Sequence, residues 1–297
     1  MKGKNRGLLL DTIGCICWGV SGTFSQYLFA NQIVSVWWIA GLRALVAGLV
    51  ILGFYRLIFR GSVTRIWHYT HDWHVLIAFT FLGLLPWQLT YFLAIKYSNA
   101  PTATVLQFTG PVFIIIALAG IKKRWPRWLD VISIGVSMTG LVLMATDGHL
   151  DHLALAPLGI FWGLMTGVTQ ATYTLIPVKL LHKYDPEVIL GWAMLFGSVP
   201  LLPQLHPLPL ATLTPVVITA LLVIIFGGTV VGYLFYLISL NYLRPTVTGM
   251  LDCFEPLTAT ILSVLFLGTR LTGPEIIGAC LILLTVFLQA VPEPRKA

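Results

Sequence analysis

The chain has 297 residues, of which 57% are hydrophobic and 10% charged. Soluble domains carry about 25% charged residues, so this composition excludes an ordinary soluble globular protein. A net charge of +7 would suggest nucleic acid in a soluble protein, but here its distribution along the chain gives a different reason.

Apolar runs of the roughly 20 residues needed to cross the hydrocarbon layer recur over 8–28, 34–57, 75–96, 102–121, 128–146, 154–175, 187–205, 213–240, 246–267 and 273–291. All are expected to be helices. Backbone groups cannot go unpaired in lipid, and the strand alternation of a barrel is missing. The basic start, Lys2, Lys4 and Arg6, followed by an apolar run resembles a signal peptide. No small-residue cleavage site follows, so the run reads as a retained first helix.

The first span carries Trp18, Ser21, Gly22, Ser25 and Gln26 as a polar stripe at helical spacing. Arg43 lies well inside the second. The loop after it holds His68, His71, Asp72 and His74. His74 falls at the wrong angle for a compact three-ligand set, and Trp67, Tyr69 and Trp73 suggest an interfacial belt. No metal site is expected there.

The third span carries Gln88 and Tyr91, the fourth Thr104 and Gln107, and the sixth Trp162, Thr166, Thr169, Gln170 and Tyr173. The eighth adds Gly227, Gly228, Gly232, Tyr233 and Tyr236. Prolines 86, 111 and 256 fall mid-span, where such breaks free carbonyls to line a cavity. Each polar residue also has a structural reading, because Ser and Thr bond back to their own helix and Gln bridges helices. Cys15, Cys17, Cys253 and Cys280 lie inside spans without metal-ligand spacing and are expected to be reduced.

Charged groups at membrane depth are costly and mark functional sites by default. Asp11 stands near the start of the first span, where it can reach water. Asp252 and Glu255 share one face of the ninth at i, i+3. Glu255 has two readings: a structural anchor for Arg43 or freed backbone, or a group that exchanges a proton or binds a cationic substrate. If the amino terminus is cytoplasmic, all but three of the 18 Lys and Arg residues fall on the cytoplasmic side. Lys96 and Arg270 fall outside and Arg43 within a span, so both termini are expected to be cytoplasmic.

Shifting the second half back by 144 positions places Trp162-Gly163 on Trp18-Gly19, Gln170 on Gln26, Gly227 on Gly83 and Pro245–Thr248 on Pro101–Thr104. The expected units are 1–148 and 149–297. An odd number of spans in each inserts the second copy upside down, an arrangement many secondary transporters use to build two gates around one site.

The halves resemble the EamA domains of the drug/metabolite transporter superfamily. The resemblance rests on Cys253–Gly268 followed by Ile276–Leu283, the two Trp-Gly pairs, Arg43, and Ala103–Phe108 with Pro111. It is similar to a bacterial inner-membrane subgroup of carboxylate, amino-acid and amine transporters. The resemblance implies ten helices around a central cavity lined mainly by helices 1, 3, 4, 6, 8 and 9. Many members carry a Glu after the Gly that ends helix 9; here Thr269 follows Gly268, so no role for that Glu is carried over.

The expectation is therefore an all-α integral membrane protein that exports amino acids or related amphipathic metabolites. The expected substrate-binding set is Trp18, Ser21, Gln26, Gln88, Tyr91, Gln107, Trp162, Thr166, Gln170, Tyr173 and Tyr236. Arg43, Asp252 and Glu255 are expected to serve charge or proton coupling. The alternatives are a nucleotide-sugar or drug/amine carrier of the same fold, or a polytopic membrane enzyme. Expected partners are a small-molecule substrate and the lipid bilayer of a bacterial inner membrane, with homodimer formation left open. Neither nucleic acid nor a cofactor is expected, since no nucleotide-binding or hydrolase motif occurs.

Overall fold

The computed structural model describes residues 2–123, 128–149, 154–239, 242–243 and 251–289. Pro245–Thr248, the opening of the ninth span, the end of the tenth, and Arg124, Arg127, Arg244, Arg295 and Lys296 lie outside these residues.

Among the described residues every regular element is helical. The long ones are α1 (Lys2–Ala30), α2 (Val36–Phe59), α3 (Thr70–Tyr97), α4 (Ala100–Gln107 and Gly110–Lys122), α5 (Trp128–Thr146) and α6 (Pro157–Leu175). They continue with α7 (Pro186–Gln204), α8 (Pro215–Leu222, Val223–Val231 and Gly232–Ser239), α9 (Phe254–Leu267) and α10 (Gly273–Gln289). Six helices among the described residues are long and apolar enough to cross a membrane: most of α1, all of α2, α3 and α7, and Ala100–Ile121 and Pro215–Tyr236. Val131–Thr146, Phe254–Leu267 and Gly273–Leu288 are shorter apolar helices.

Local chemistry sets the ends. The first N–H groups of a helix have no internal partner, and short side chains supply one. Ser35 Oγ accepts from Trp38 N at 3.1 Å, and Asn99 Oδ1 accepts from Thr102 N at 2.8 Å. Gly268 closes α9 with φ 66°, the left-handed turn that glycine adopts without strain.

The densest packing pairs α5 with α10, α2 with α7, α3 with α6, and α1 with α8 and α9. Gly140 abuts Gly278 and Ile282 while Gly148 abuts Pro274, so α5 and α10 run in opposite directions. Gly41 against Leu201 and Gly48 against Leu195 make α2 and α7 antiparallel as well. A shift of 144 residues turns α3–α6 into α8–α1, and α1–α9 into α6–α4; all of these contacts occur. The packing thus has a twofold pseudo-symmetry.

The irregularities follow the same symmetry. α3 widens to a π-helical turn at Phe79–Leu84, and α8 at Val223–Val231. α4 unwinds at 108–109 and the chain entering α9 at 252–253, again 144 residues apart. At both places the backbone tightens: Thr109 N bonds Leu106 O at 3.0 Å, and Glu255 N bonds Asp252 O at 3.0 Å. Pro86, Pro111 and Pro256 lie just beyond three of these irregular stretches, as expected of a residue that removes a donor and crowds the preceding turn. The α8 turn has no proline and contains Gly227-Gly228 instead.

Candidate functional site

Three of the four irregular stretches supply Phe108, Gly228 and Asp252 to a cavity of about 150 Å³, and the residues just beyond the fourth, in α3, complete it. α1 supplies Trp18 and Ser21, α2 Arg43, α3 Trp87, Gln88 and Tyr91, and α4 Gln107 and Phe108. Gln170, Tyr173 and Thr174 come from α6, Gly228, Tyr233 and Tyr236 from α8, and Asp252 and Glu255 from the start of α9. Broken helices at such a crossing present backbone and side-chain polar groups where continuous helices would not.

Its walls are aromatic. Trp18 meets Tyr233 edge-on at 5.4 Å and Tyr236 at 5.4 Å, and Trp87 stacks on Tyr173 at 4.6 Å and 23°. Against these stand charges of both signs. Glu255 is 5% exposed and accepts a hydrogen bond from the Tyr91 hydroxyl at 3.3 Å. Arg43 is 7% exposed, with its guanidinium carbon 4.8 Å from the centre of the Phe92 ring and its Nε without a partner among the described residues. Among the described residues the ion pair within 4.0 Å is that of Lys183 with Asp72. Arg43 and Glu255 therefore share a cavity without neutralising each other by direct contact.

Of the residues expected from the sequence, Trp18, Ser21, Gln88, Tyr91, Gln107, Gln170, Tyr173, Tyr236, Arg43, Asp252 and Glu255 line this cavity. Gln26, Trp162 and Thr166 do not. Gln26 Oε1 accepts from Ala100 N at 2.8 Å and Ser263 Oγ at 3.1 Å, while its Nε2 donates to Thr269 Oγ1 at 3.0 Å. It ties α1 to the start of α4 and the end of α9. Trp162 packs edge-on against Phe161 at 5.0 Å, and Thr166 bonds back to Trp162 O at 2.8 Å. Gln170, the repeat mate of Gln26, has no such tie among the described residues: its Oε1 is buried without a partner there and lies against Gly110. Stripe residues in one repeat thus differ in environment from their mates in the other.

Trp87, Phe108, Thr174, Gly228 and Tyr233 also line the cavity and stand outside the expected set. The position of Trp87 beside Pro86 and the alignment of Phe108 with Asp252 were available signals; Thr174 offered none. Asp72, from the histidine-rich loop region, accepts from Lys183 Nζ at 3.0 Å and from the Tyr184 hydroxyl at 2.8 Å. Burial and the bond to Asp72 push the Tyr184 hydroxyl up to about 12. This network joins the start of α3 to the chain before α7, at the end of the bundle opposite Gln26.

The helical fold and its long apolar elements define a multi-pass membrane protein. Residues 5–146 and 157–290 match the EamA-like transporter family, and the chain belongs to that family. It is 31% identical over 302 residues to the uncharacterized inner membrane transporter YicL of Salmonella typhimurium, covering all of this chain and 99% of that one. It is 25% identical over 308 residues to the uncharacterized transporter YwfM of Bacillus subtilis, covering 100% and 97%. A solved crystal structure superposes with a TM-score of 0.64 at 16% identity over 95% of both chains, a likeness of fold alone.

Proposed function

We propose that this protein is a secondary transporter of the bacterial cytoplasmic membrane, exporting amino acids or related amphipathic compounds by alternating access. Both termini face the cytoplasm in this reading. The supporting observation is the cavity itself, where Arg43 and the acids Glu255 and Asp252 stand among aromatic walls without direct mutual neutralisation. A zwitterion satisfies both signs at once: its carboxylate faces Arg43 and its ammonium faces Glu255 and Asp252. An apolar side chain then lies against Trp18, Trp87 and Tyr173. A nucleotide sugar fits less well, because its diphosphate calls for more than the one guanidinium, that of Arg43, found in the lining among the described residues.

The gate follows from the repeat. Gln26 holds one end shut while Gln170 stands untied, and in the opposite state the two exchange roles. Proton exchange at the acidic residues supplies the coupling.

The test is counterflow of radiolabelled amino acids in proteoliposomes. Removing one member of a buried charge pair costs about 2–5 kcal/mol, so Glu255→Gln and Arg43→Gln should each weaken half-saturation by at least about tenfold. A wild-type protein that moves neither amino acids nor amines refutes this reading.

A further inference from the structure

We infer that Asp11 and Asp252 form a carboxyl pair sharing one proton, and that this proton, exchanged through the cavity, is the coupling ion of the transport proposed above. The coupling role rests on that reading; the shared proton does not.

α1 places Asp11 and Cys15 on one face at i, i+4, and the unwound stretch before α9 brings Asp252 to them. One ligating atom from each residue lies within 4.8 Å of the others. Ser239 Oγ donates to Asp11 Oδ1 at 2.8 Å, and Cys15 Sγ donates to Asp252 Oδ1 at 3.5 Å. Asp11 is 0% exposed, and among the described residues its Oδ2 has no hydrogen-bond partner. A buried carboxylate oxygen left bare is costly; bearing or sharing a proton removes that cost.

The surroundings leave little else to balance the charge. Glu255, one turn further along α9, carries the same sign. α8 presents the phenols Tyr233 and Tyr236, and Cys253 follows Asp252 in the chain. Across the cavity, Arg43 faces Tyr91 and Tyr233; near the start of α1, Arg6 lies 5.6 Å from the centre of the Tyr242 ring. Among the described residues no lysine or arginine pairs with either acid within 4.0 Å. Two carboxylates this close in a low-dielectric site do not both ionise without a positive charge between them.

The ligand set selects a proton over a metal. Hard cations take about six or more oxygens, whereas this cluster offers two carboxylates and a hydroxyl that already donates. Soft metals take thiolates, but Cys15 spends its proton on Asp252. A shared proton needs only two facing carboxyl oxygens.

The other repeat is a built-in control. A shift of 144 residues places Leu155 on Asp11 and Phe108 on Asp252, and these two belong to one apolar cluster. The scaffold therefore builds this crossing from hydrophobic side chains, and acids there serve something other than packing.

In the cycle, a substrate ammonium arriving from the cytoplasm settles beside Asp252. The carboxyl O–H bond breaks, its electron pair stays on the carboxylate, and the proton passes to cytoplasmic water. After reorientation the ammonium leaves and a proton from outside re-forms the bond, so one proton enters for each substrate exported.

Infrared titration of the lipid-reconstituted protein, in a Glu255→Gln background, tests the pair directly. At neutral pH a protonated-carboxyl C=O stretch should be present. Asp11→Asn and Asp252→Asn should each remove it, because the new amide donates to the remaining carboxylate. A band absent from the parent, or surviving in either variant, overturns the pair. Loss of the parent band on adding sodium or zinc chloride at fixed pH overturns the choice of proton. In proteoliposomes, Asp11→Asn should abolish accumulation of radiolabelled amino acids driven by a pH gradient yet retain counterflow. Accumulation equal to wild type overturns the coupling role. Wild-type protein that fails in both transport assays condemns the proposed transport and its coupling, while the infrared result still decides the pair.

Discussion

Tyr184 shows how a single hydroxyl reports on one end of the bundle. Its bond to Asp72 is worth about 1.5–3 kcal/mol as a hydrogen bond to a charged group. Lys183, whose side chain is 57% exposed, adds at most about 1 kcal/mol through its ion pair with Asp72. Tyr184→Phe should therefore lower thermal stability more than Lys183→Met, measured by unfolding in detergent. The sign with pH is fixed. Because the folded-state phenol titrates near 12 and its ordinary value is 10.0, the folded state holds the proton longer. Stability from this group is full below 10 and falls as pH rises through that interval. Tyr184→Phe should remove that part of the alkaline slope.

Residue by residue, legibility tracked solvation cost. Arg43, Asp252 and Glu255 stand out as charges in lipid, and the structure puts all three at the cavity. Gln26 was less legible because an amide serves equally as a substrate ligand or a helix tie. Asp11 looked close enough to water to need no partner, yet its side chain is fully buried against Ser239.

At the scale of elements, the decisive contacts are those of two glycines 144 residues apart. A Cβ on Gly19 would lie 2.5 Å from the Glu255 carbonyl oxygen and 3.0 Å from Ala259 N, so α1 and α9 would have to part. At Gly163 the obstruction is the Leu106 side chain, with Cδ1 at 2.3 Å and Cβ at 2.9 Å, and part of that chain can turn away. Overpacking costs about 1–3 kcal/mol. Gly19→Ala should fall at the upper end and depress counterflow strongly; Gly163→Ala should be milder on both measures. Equal effects would contradict the assignment of backbone and side-chain contacts. The proline-linked breaks in α3, α4 and α9 were readable because proline removes a donor. The π-helical turn in α8 was not, since a glycine pair inside a span equally suits close packing.

For the whole molecule, the 144-residue periodicity made the helical plan legible before any coordinates. What it could not reveal is where the two halves differ in state, because pseudo-symmetry in sequence says nothing about which gate is shut. That difference lies in the two ends of α2. Beside its start, α1, α4 and α9 are joined through Gln26, Ala100, Ser263 and Thr269 by uncharged groups. Beyond its other end, α3 is joined to the chain before α7 by Lys183 and Asp72, an ion pair with one partner largely in solvent.

Dissolved electrolyte acts on these two latches unequally, since mobile ions screen exposed charges and leave neutral bonds untouched. Raising ionic strength should loosen the Lys183 side alone, seen as faster labelling of a cysteine placed behind it, with labelling behind Gln26 unchanged. In the orientation proposed here, the salt-indifferent latch faces the growth medium, whose salinity the cell does not set. The salt-responsive one faces a cytoplasm that the cell buffers.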